Sequence, residues 1–505
     1  MLLTHLNCCK ACFRVIIRII SCFVLVGIQF DRVYADSTIP DPRLGIVESY
    51  QSPRHATKWD IGWDRIVFEW YKIQPFGSDS WLPVRPHGLA SNGLNVMRKD
   101  KGIFEHSFVQ EQWIDQALDD NREIVALLIG TPDWATDGLP HRGVPNGLYL
   151  PVNDPNNHWA QFVRGVFNEY GDVIKNWVIW NEPDISSDHP GAQFDGSVED
   201  YYRLVKVAYL VSQEVNSDIV IHLAGLTYWH DVVYGREPYL QRLLEVLVQD
   251  PQASLYDHYF DVVTVHIYFN TESVYQIINL QFDILAKFGL DKKIWLNETN
   301  AAPMNDLLYP WTDPLLPITL QQQASFVIQS NALAFASGAE RVAVYKFFDH
   351  IEPLPGLESY GLIRNDGSYR PVARAYQTLV NSISGFQEVN HFVYDTHHIV
   401  TFFGLSRRTT IAWTRTDQDV LISLEDFHDV NYQYFIDKLG DKVVINSGDD
   451  LQFILPGQDC DTNITICSVG GLPLILVEYQ MCDINSLVYQ HDCNLLLSSD
   501  KKLVP

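Results

Sequence analysis

The sequence predicts an α/β fold, a (β/α)8 TIM barrel with a C-terminal β-sandwich domain, and three observations carry that prediction. Eight short apolar runs alternate with helix-period segments from about residue 44 to 382. Polar, proline-rich segments follow the third, fourth, fifth, seventh and eighth runs, which describes a barrel elaborated at the carboxyl ends of its strands. After Ser384 the apolar period drops to two, with Gly, Asp and Asn as punctuation.

Taken in order, residues 1–35 read as an address. Lys10, Arg14 and Arg18 precede the apolar run from Ile19 to Ile28, and Val33-Tyr34-Ala35 places small residues before a cut near Ala35–Asp36. The run is shorter than the roughly 20 residues that span a bilayer, so export with cleavage is expected. An uncleaved membrane anchor is the alternative. The barrel is assigned to residues 36–384. Its strands are expected at Leu44–Glu48, Arg65–Phe68, Ile124–Ile129, Trp177–Trp180, Ile219–Ala224, Val262–His266, Ile294–Leu296 and Val342–Phe347. Between them, Phe162, Val163, Val166, Phe167 and Tyr170 have the spacing of one helix face, as do Tyr201, Leu204, Val205 and Ala208. A doubly wound sheet would show the same alternation, and the long carboxyl-end loops favour the barrel. Residues 385–505 form the sandwich, with strands at His398–Phe403, Thr410–Thr414, Val420–Leu424, Tyr432–Ile436 and Pro473–Val477. No low-complexity linker separates the two, so they are expected to pack closely.

The 505 residues are 47% apolar, enough for a large core, and carry a formal charge of −26. Such a surface repels phosphate backbones and anionic membranes, which excludes nucleic acid as a partner. Membrane contact is expected only if the N-terminal segment is retained. Four cysteines fall in the first 35 residues, and Cys460, Cys467, Cys482 and Cys493 crowd the C-terminus. In an exported chain they imply disulfides, and the two local pairings, Cys460–Cys467 and Cys482–Cys493, are expected among the three possible. A zinc site is the alternative, against which the spacings lack CxxC.

Two segments carry chemistry. Trp180-Asn181-Glu182-Pro183 and Trp295-Leu296-Asn297-Glu298-Thr299 each end a strand-like run with a glutamate, about three βα units apart. A lone strand-end glutamate is ordinarily a surface charge. Two of them at this spacing match the paired carboxylates that cut glycosidic bonds, one as acid and one as nucleophile. Asn181 could hydrogen-bond a sugar 2-hydroxyl as the transition state develops. Trp134 could stack on a sugar face.

At these motifs the chain resembles the clan A glycoside hydrolases. Thr131-Pro132-Asp133-Trp134-Ala135 and Tyr170-Gly171 before the Trp180–Pro183 motif narrow the resemblance to a family 39-like branch, which includes β-xylosidases and polysaccharide-cleaving relatives. It covers about residues 44–382, and Asp437-Lys438-Leu439-Gly440 and Gly470–Glu478 are similar to the family's accessory sandwich. The resemblance implies Glu182 as acid/base and Glu298 as nucleophile of a retaining hydrolase. It also implies that Tyr268, two residues after His266, hydrogen-bonds the nucleophile. Arg65 could orient Glu298 from the second strand, and His266 could face the pocket or be a core histidine. Many clan members end the eighth strand with tryptophan; here the run is Val344-Tyr345-Lys346-Phe347-Phe348, so Lys346 or His350 could recognise a polar or acidic substituent.

Cofactor chemistry finds no motif: there is no GxGxxG, Walker loop, GxSxG or HExxH. No cofactor and no metal are expected. The expected partner is a carbohydrate, better neutral than anionic given the charge. A transglycosylase using the same glutamates and a non-catalytic carbohydrate-binding protein are the competing readings. Asn297-Glu298-Thr299 matches a glycosylation sequon, but Asn463-Ile464-Thr465 is the better-placed acceptor.

Overall fold

In the computed structural model, the residues described are 39–81, 111–308, 318–350, 358–424, 430–445, 451–459 and 467–480. Eight parallel strands pair in chain order: β1 (Leu44–Ile46), β2 (Trp63–Glu69), β3 (Glu123–Ile129), β4 (Asn176–Ile179), β5 (Val220–Leu223), β6 (Val262–Tyr268), β7 (Lys293–Asn300) and β8 (Arg341–Val344). The barrel closes where β1 pairs with β8, Leu44 opposite Val342 and Ile46 opposite Val344. Strand β7 runs past the apolar pattern that predicted it. Its last residues Asn297, Glu298, Thr299 and Asn300 are polar yet buried, because they line the barrel mouth rather than face water.

Two faces of the strands bury different things. Trp63, Val125, Leu127, Val178 and Trp295 form a cluster to which no helix contributes, so it fills the barrel interior. Trp63 and Trp295 meet with ring centroids 5.7 Å apart. A Cβ at Gly45 would lie 2.4 Å from the Trp63 indole, so β1 needs glycine at that point. The outward residues pack on the helices. Phe68 meets Tyr170 at 5.3 Å and Trp177 at 5.2 Å, anchoring the helix His158–Tyr170 by the face its spacing predicted. Each fully buried side chain of this kind contributes roughly 1.5–3 kcal/mol. The helices start on side-chain caps: Asn157 accepts from the Ala160 amide, and Ser197–Asp200 and Thr319–Gln322 form capping boxes.

After the helix Pro371–Ile383 the chain enters the sandwich. Strands β9 (Glu388–Val393), β10 (His397–Phe403), β11 (Arg407–Thr414), β13 (Val430–Ile436), β14 (Lys442–Ile445) and β16 (Leu474–Gln480) form an antiparallel sheet in the order β14-β13-β16-β11-β10-β9. Strands β12 (Val420–Ser423) and β15 (Gln452–Leu455) form a second, two-stranded sheet. β9, β14 and β15 escaped prediction because most of their side chains are exposed or half-buried, which leaves no alternation to read. The period of two divides the large sheet. Ile399, Ala412 and Leu474 pack toward β12 and β15, whereas Val400, Phe402 and Ile411 join the barrel's core.

That second face lies on the helix Leu320–Ala336. Phe335 meets Phe402 at 6.3 Å, and Gln329 donates from Nε2 to the Gly471 carbonyl at 2.7 Å while its Oε1 accepts from the Gly470 amide at 3.0 Å. Glu272 on the helix Thr271–Lys287 accepts from Arg415 Nη2 at 2.9 Å and lies 2.8 Å from His398 Nε2. Pro40–Pro505 accordingly forms one compact unit. Among the described residues no helix is long and apolar enough to cross a membrane. The 1–35 segment, Cys460, Cys482, Cys493 and the Asn463 sequon lie outside the described residues; Cys467 lies within them, so each expected disulfide pairing has at least one cysteine outside.

The Gln329 bridge is testable. Gln329→Leu removes the partners of two backbone groups, so we expect a loss of at least about 2 kcal/mol of unfolding stability. A urea unfolding midpoint equal to that of the parent would contradict it.

Candidate active site

Glu182 follows β4 through a tight local turn. Trp180 and Glu182 both adopt left-handed backbone, with φ of 71° and 45°, a conformation that costs roughly 1–2 kcal/mol for a non-glycine residue. The surroundings hold it. Trp180 Nε1 donates to the Gln193 carbonyl at 2.8 Å, Asn181 Nδ2 to Gln193 Oε1 at 3.3 Å, and the Glu182 amide to the Gly225 carbonyl at 3.2 Å. Asn181 keeps a buried Oδ1 with no hydrogen-bond partner among the described residues.

Glu298 lies on β7 and is buried, its side chain 7% exposed. Arg65 from β2 makes an ion pair with its Oε1, and the Tyr268 hydroxyl from β6 donates to its Oε2. His266, also on β6, joins the two glutamates: its Nδ1 is 2.7 Å from Glu182 Oε1 and 3.4 Å from Glu298 Oε2. One oxygen from each carboxylate and one His266 nitrogen lie within 4.8 Å of one another. Strands two, four, six and seven thus converge on one spot.

Burial alone would raise the Glu298 pKa. The Arg65 guanidinium first, then His266 and the hydrogen bonds from Tyr268 and Arg65, outweigh it and hold the carboxyl below the usual glutamate value. Burial beside Glu298 pushes the Tyr268 phenol well up, so it stays a donor. Three potential metal-ligand atoms meet here, but the Arg65 charge in contact with Glu298 opposes a divalent cation at the same oxygen atoms.

The other predicted residues divide. Lys346 Nζ pairs with Glu48 at 2.6 Å across the β1–β8 seam. Tyr345, its neighbour, lies nearer the chemistry. Its ring packs edge-on against Tyr268 at 5.9 Å and against Tyr360 at 5.7 Å, which forms an aromatic wall beside Glu298. His350 Nε2 is 2.9 Å from the Tyr345 hydroxyl, and burial, helped by Lys346, lowers its pKa to about 4. Trp134 packs within the loops: its Nε1 donates to the Gln74 carbonyl at 2.7 Å and its ring meets Trp70 and His158. Asn297 is buried, so the sequon that contains it is inaccessible.

Three supporting residues have no signal in the sequence. A Cβ at Gly225 would lie 2.0 Å from His266 Nε2, so only glycine lets the imidazole reach both glutamates. Asn300 donates from Nδ2 to the Tyr345 and Tyr360 carbonyls at 2.6 and 2.8 Å, tying β7 to the segment after β8. Asp184, two residues after Glu182, is buried; its Oδ2 accepts from the Thr227 amide at 2.7 Å, the Thr227 hydroxyl at 2.8 Å and the Tyr228 amide at 3.0 Å. Burial pushes Asp184 up to about 6.

No family model matches the chain, and no curated protein matches it in sequence. Solved structures do match its fold. A family 39 glycoside hydrolase from the gut symbiont Bacteroides cellulosilyticus WH2 is 14% identical, with a TM-score of 0.60 over 88% of this chain and 82% of that one. A monomeric β-xylosidase from Caulobacter crescentus CB15 is 11% identical, with a TM-score of 0.53 over 87% and 96% of the two chains. A glucosidase from Croceicoccus marinus is 9% identical, with a TM-score of 0.52 over 85% and 92%. At these identities the likeness is one of fold: the resemblance read from the strand-end motifs has its structural counterpart in a barrel-plus-sandwich architecture that these glycoside hydrolases share.

Proposed function

We propose that this protein is a retaining glycoside hydrolase acting on β-linked oligo- or polysaccharides. One observation carries the reading: oxygen atoms of Glu182 and Glu298 approach within 4.8 Å beside a single imidazole. Retaining enzymes hold their carboxyl groups about 5–5.5 Å apart, and inverting enzymes leave about 6.5–9.5 Å for a water. The glycosidase folds that the chain resembles support the same reading.

In this mechanism Glu182 gives a proton to the leaving oxygen as its bond to the anomeric carbon breaks. An oxygen of Glu298 forms a bond to that carbon. Water then attacks, the bond to Glu298 breaks, and the water's proton passes to Glu182. Arg65 and Tyr268 serve by keeping Glu298 ionised for the first step. The Asn181 Oδ1, which lacks a partner among the described residues, can accept from a sugar hydroxyl. The leading segment 1–35 fits export, which the N-terminal residue of the mature protein would check.

Glu182→Gln should lower kcat on β-glycosides by about 10²–10⁴-fold, the range for a lost general acid, and Glu298→Gln should abolish turnover. Proton NMR of the first product should show the anomeric configuration of the substrate; an inverted product would overturn the mechanism. A pH experiment reads the electrostatics. Glu298 must be ionised to attack, so activity falls as pH drops through its pKa. Tyr268→Phe removes a hydrogen bond to the anion and raises that pKa, so the acidic limb of kcat/KM should move to higher pH. An unmoved or lowered limb would show that Tyr268 does not stabilise the carboxylate.

A further inference from the structure

Residues 227–236, which follow β5, pack on the segment just after Glu182. Asp184 takes three hydrogen bonds from Thr227 and Tyr228, and Arg236 donates to the Asp184 carbonyl and, at 2.8 Å, to Ser186 Oγ. Arg236 Nε also lies 2.9 Å from Asp231, a buried carboxylate shared with Arg242 at 2.7 Å. A surface loop is usually free to vary in position. This one is clamped at both ends to the residues just after Glu182.

What the clamps hold is Trp229. Its side chain belongs to an exposed aromatic residue, 43% accessible, with Tyr228 at a ring distance of 5.4 Å and Val232 and Val233 also exposed on the same short helix, Trp229–Val233. Its other neighbour, His230, stacks edge-on with His189 at 4.9 Å and feels the Glu182 carboxylate electrostatically, which places the segment beside the proposed acid. Burial and His189 lower the His230 pKa, so the imidazole is neutral at pH 7 and able to hydrogen-bond a hydroxyl. Arg236 and Arg242 share the single carboxylate of Asp231. The wall is aromatic and apolar around Trp229.

We propose that residues 227–236 form the leaving-group subsite of the cleft, with the Trp229 indole as the platform for the neutral sugar unit beyond the scissile bond and His230 as a hydrogen-bonding partner of its hydroxyls. The direction follows from the chemistry and rests on the glycosidase reading of Glu182 and Glu298. The acid must touch the leaving oxygen, so the unit attached to that oxygen extends past Glu182, away from Glu298. Through His230, which feels the Glu182 carboxylate, the clamped segment lies on the Glu182 side of the pair. An indole face matches the apolar C–H face of a pyranose.

Two substrates with the same glycon separate this subsite from the rest of the site. A β-glycosyl fluoride has a leaving group too small to reach Trp229, whereas a β-linked disaccharide has a full sugar there. For Trp229→Ala, kcat/KM on the disaccharide should fall about tenfold relative to that on the fluoride, and Trp229→Phe should recover most of the loss. If the ratio of the two substrates stays at the parent value, whether both rates fall together or neither does, the subsite assignment is wrong while the glycosidase reading stands. If the parent protein turns over no glycosyl fluoride of any glycon, the glycosidase reading fails and the subsite falls with it.

Discussion

A carboxylate taken out of water at the mouth of a barrel must be held ionised by whatever replaces the water, and Arg65 does most of that for Glu298. The pair joins β2 to β7. Removing two charges from water is expensive, and a buried pair gains little net stability over an apolar equivalent. Its value lies elsewhere: the guanidinium cannot give up its proton, so Glu298 always has an opposite charge beside it. Tyr268 and His266 then approach from β6, and His266 brings Glu182 from β4. Each later contact presupposes the first.

Around this centre the molecule removes freedom where a loop would ordinarily have it. Gly225 clears the space under His266, Gln193 grips the turn before Glu182, and Asn300 fastens the segment after β8. Arg370 does similar work farther out, with Asp349 and Asp306 each 2.7 Å from its nitrogen atoms. Catalytic geometry tolerates little slack, and side chains supported by a further layer of hydrogen bonds stay within reach of one another. The rim is therefore as ordered by polar contacts as the barrel is by apolar ones.

Much of this was readable in the chain because strand chemistry is local. A short apolar run followed by Asn-Glu puts a carboxylate at a strand end, and Arg65 and Tyr268 sit at positions whose strands were identifiable by period. The ion pair of Lys346 was not legible, for a non-local reason. Its partner Glu48 stands at the opposite end of the barrel's sequence, and only closure of β1 on β8 brings the two together. Asp184 and Gly225 were invisible because their importance lies in what they approach, Thr227 and Tyr228 for one and an imidazole for the other. Trp134 matched the expected residue type for sugar stacking, yet residue type does not reveal whether a ring faces a cleft or a neighbouring loop.

The helix Leu320–Ala336 bears on how this molecule can be taken apart. From Gln323 to Phe335 every side chain is buried, as in a helix enclosed by protein on all sides. Most of that enclosure is the barrel and its helices, and the accessory sheet closes the rest, receiving Gln329 and Phe335. Cutting the chain after the last barrel helix would strand Gln329 and Phe335 in solvent, together with the apolar side chains around them. The appended sheet is thus no detachable module but the wall that completes the burial of this barrel helix.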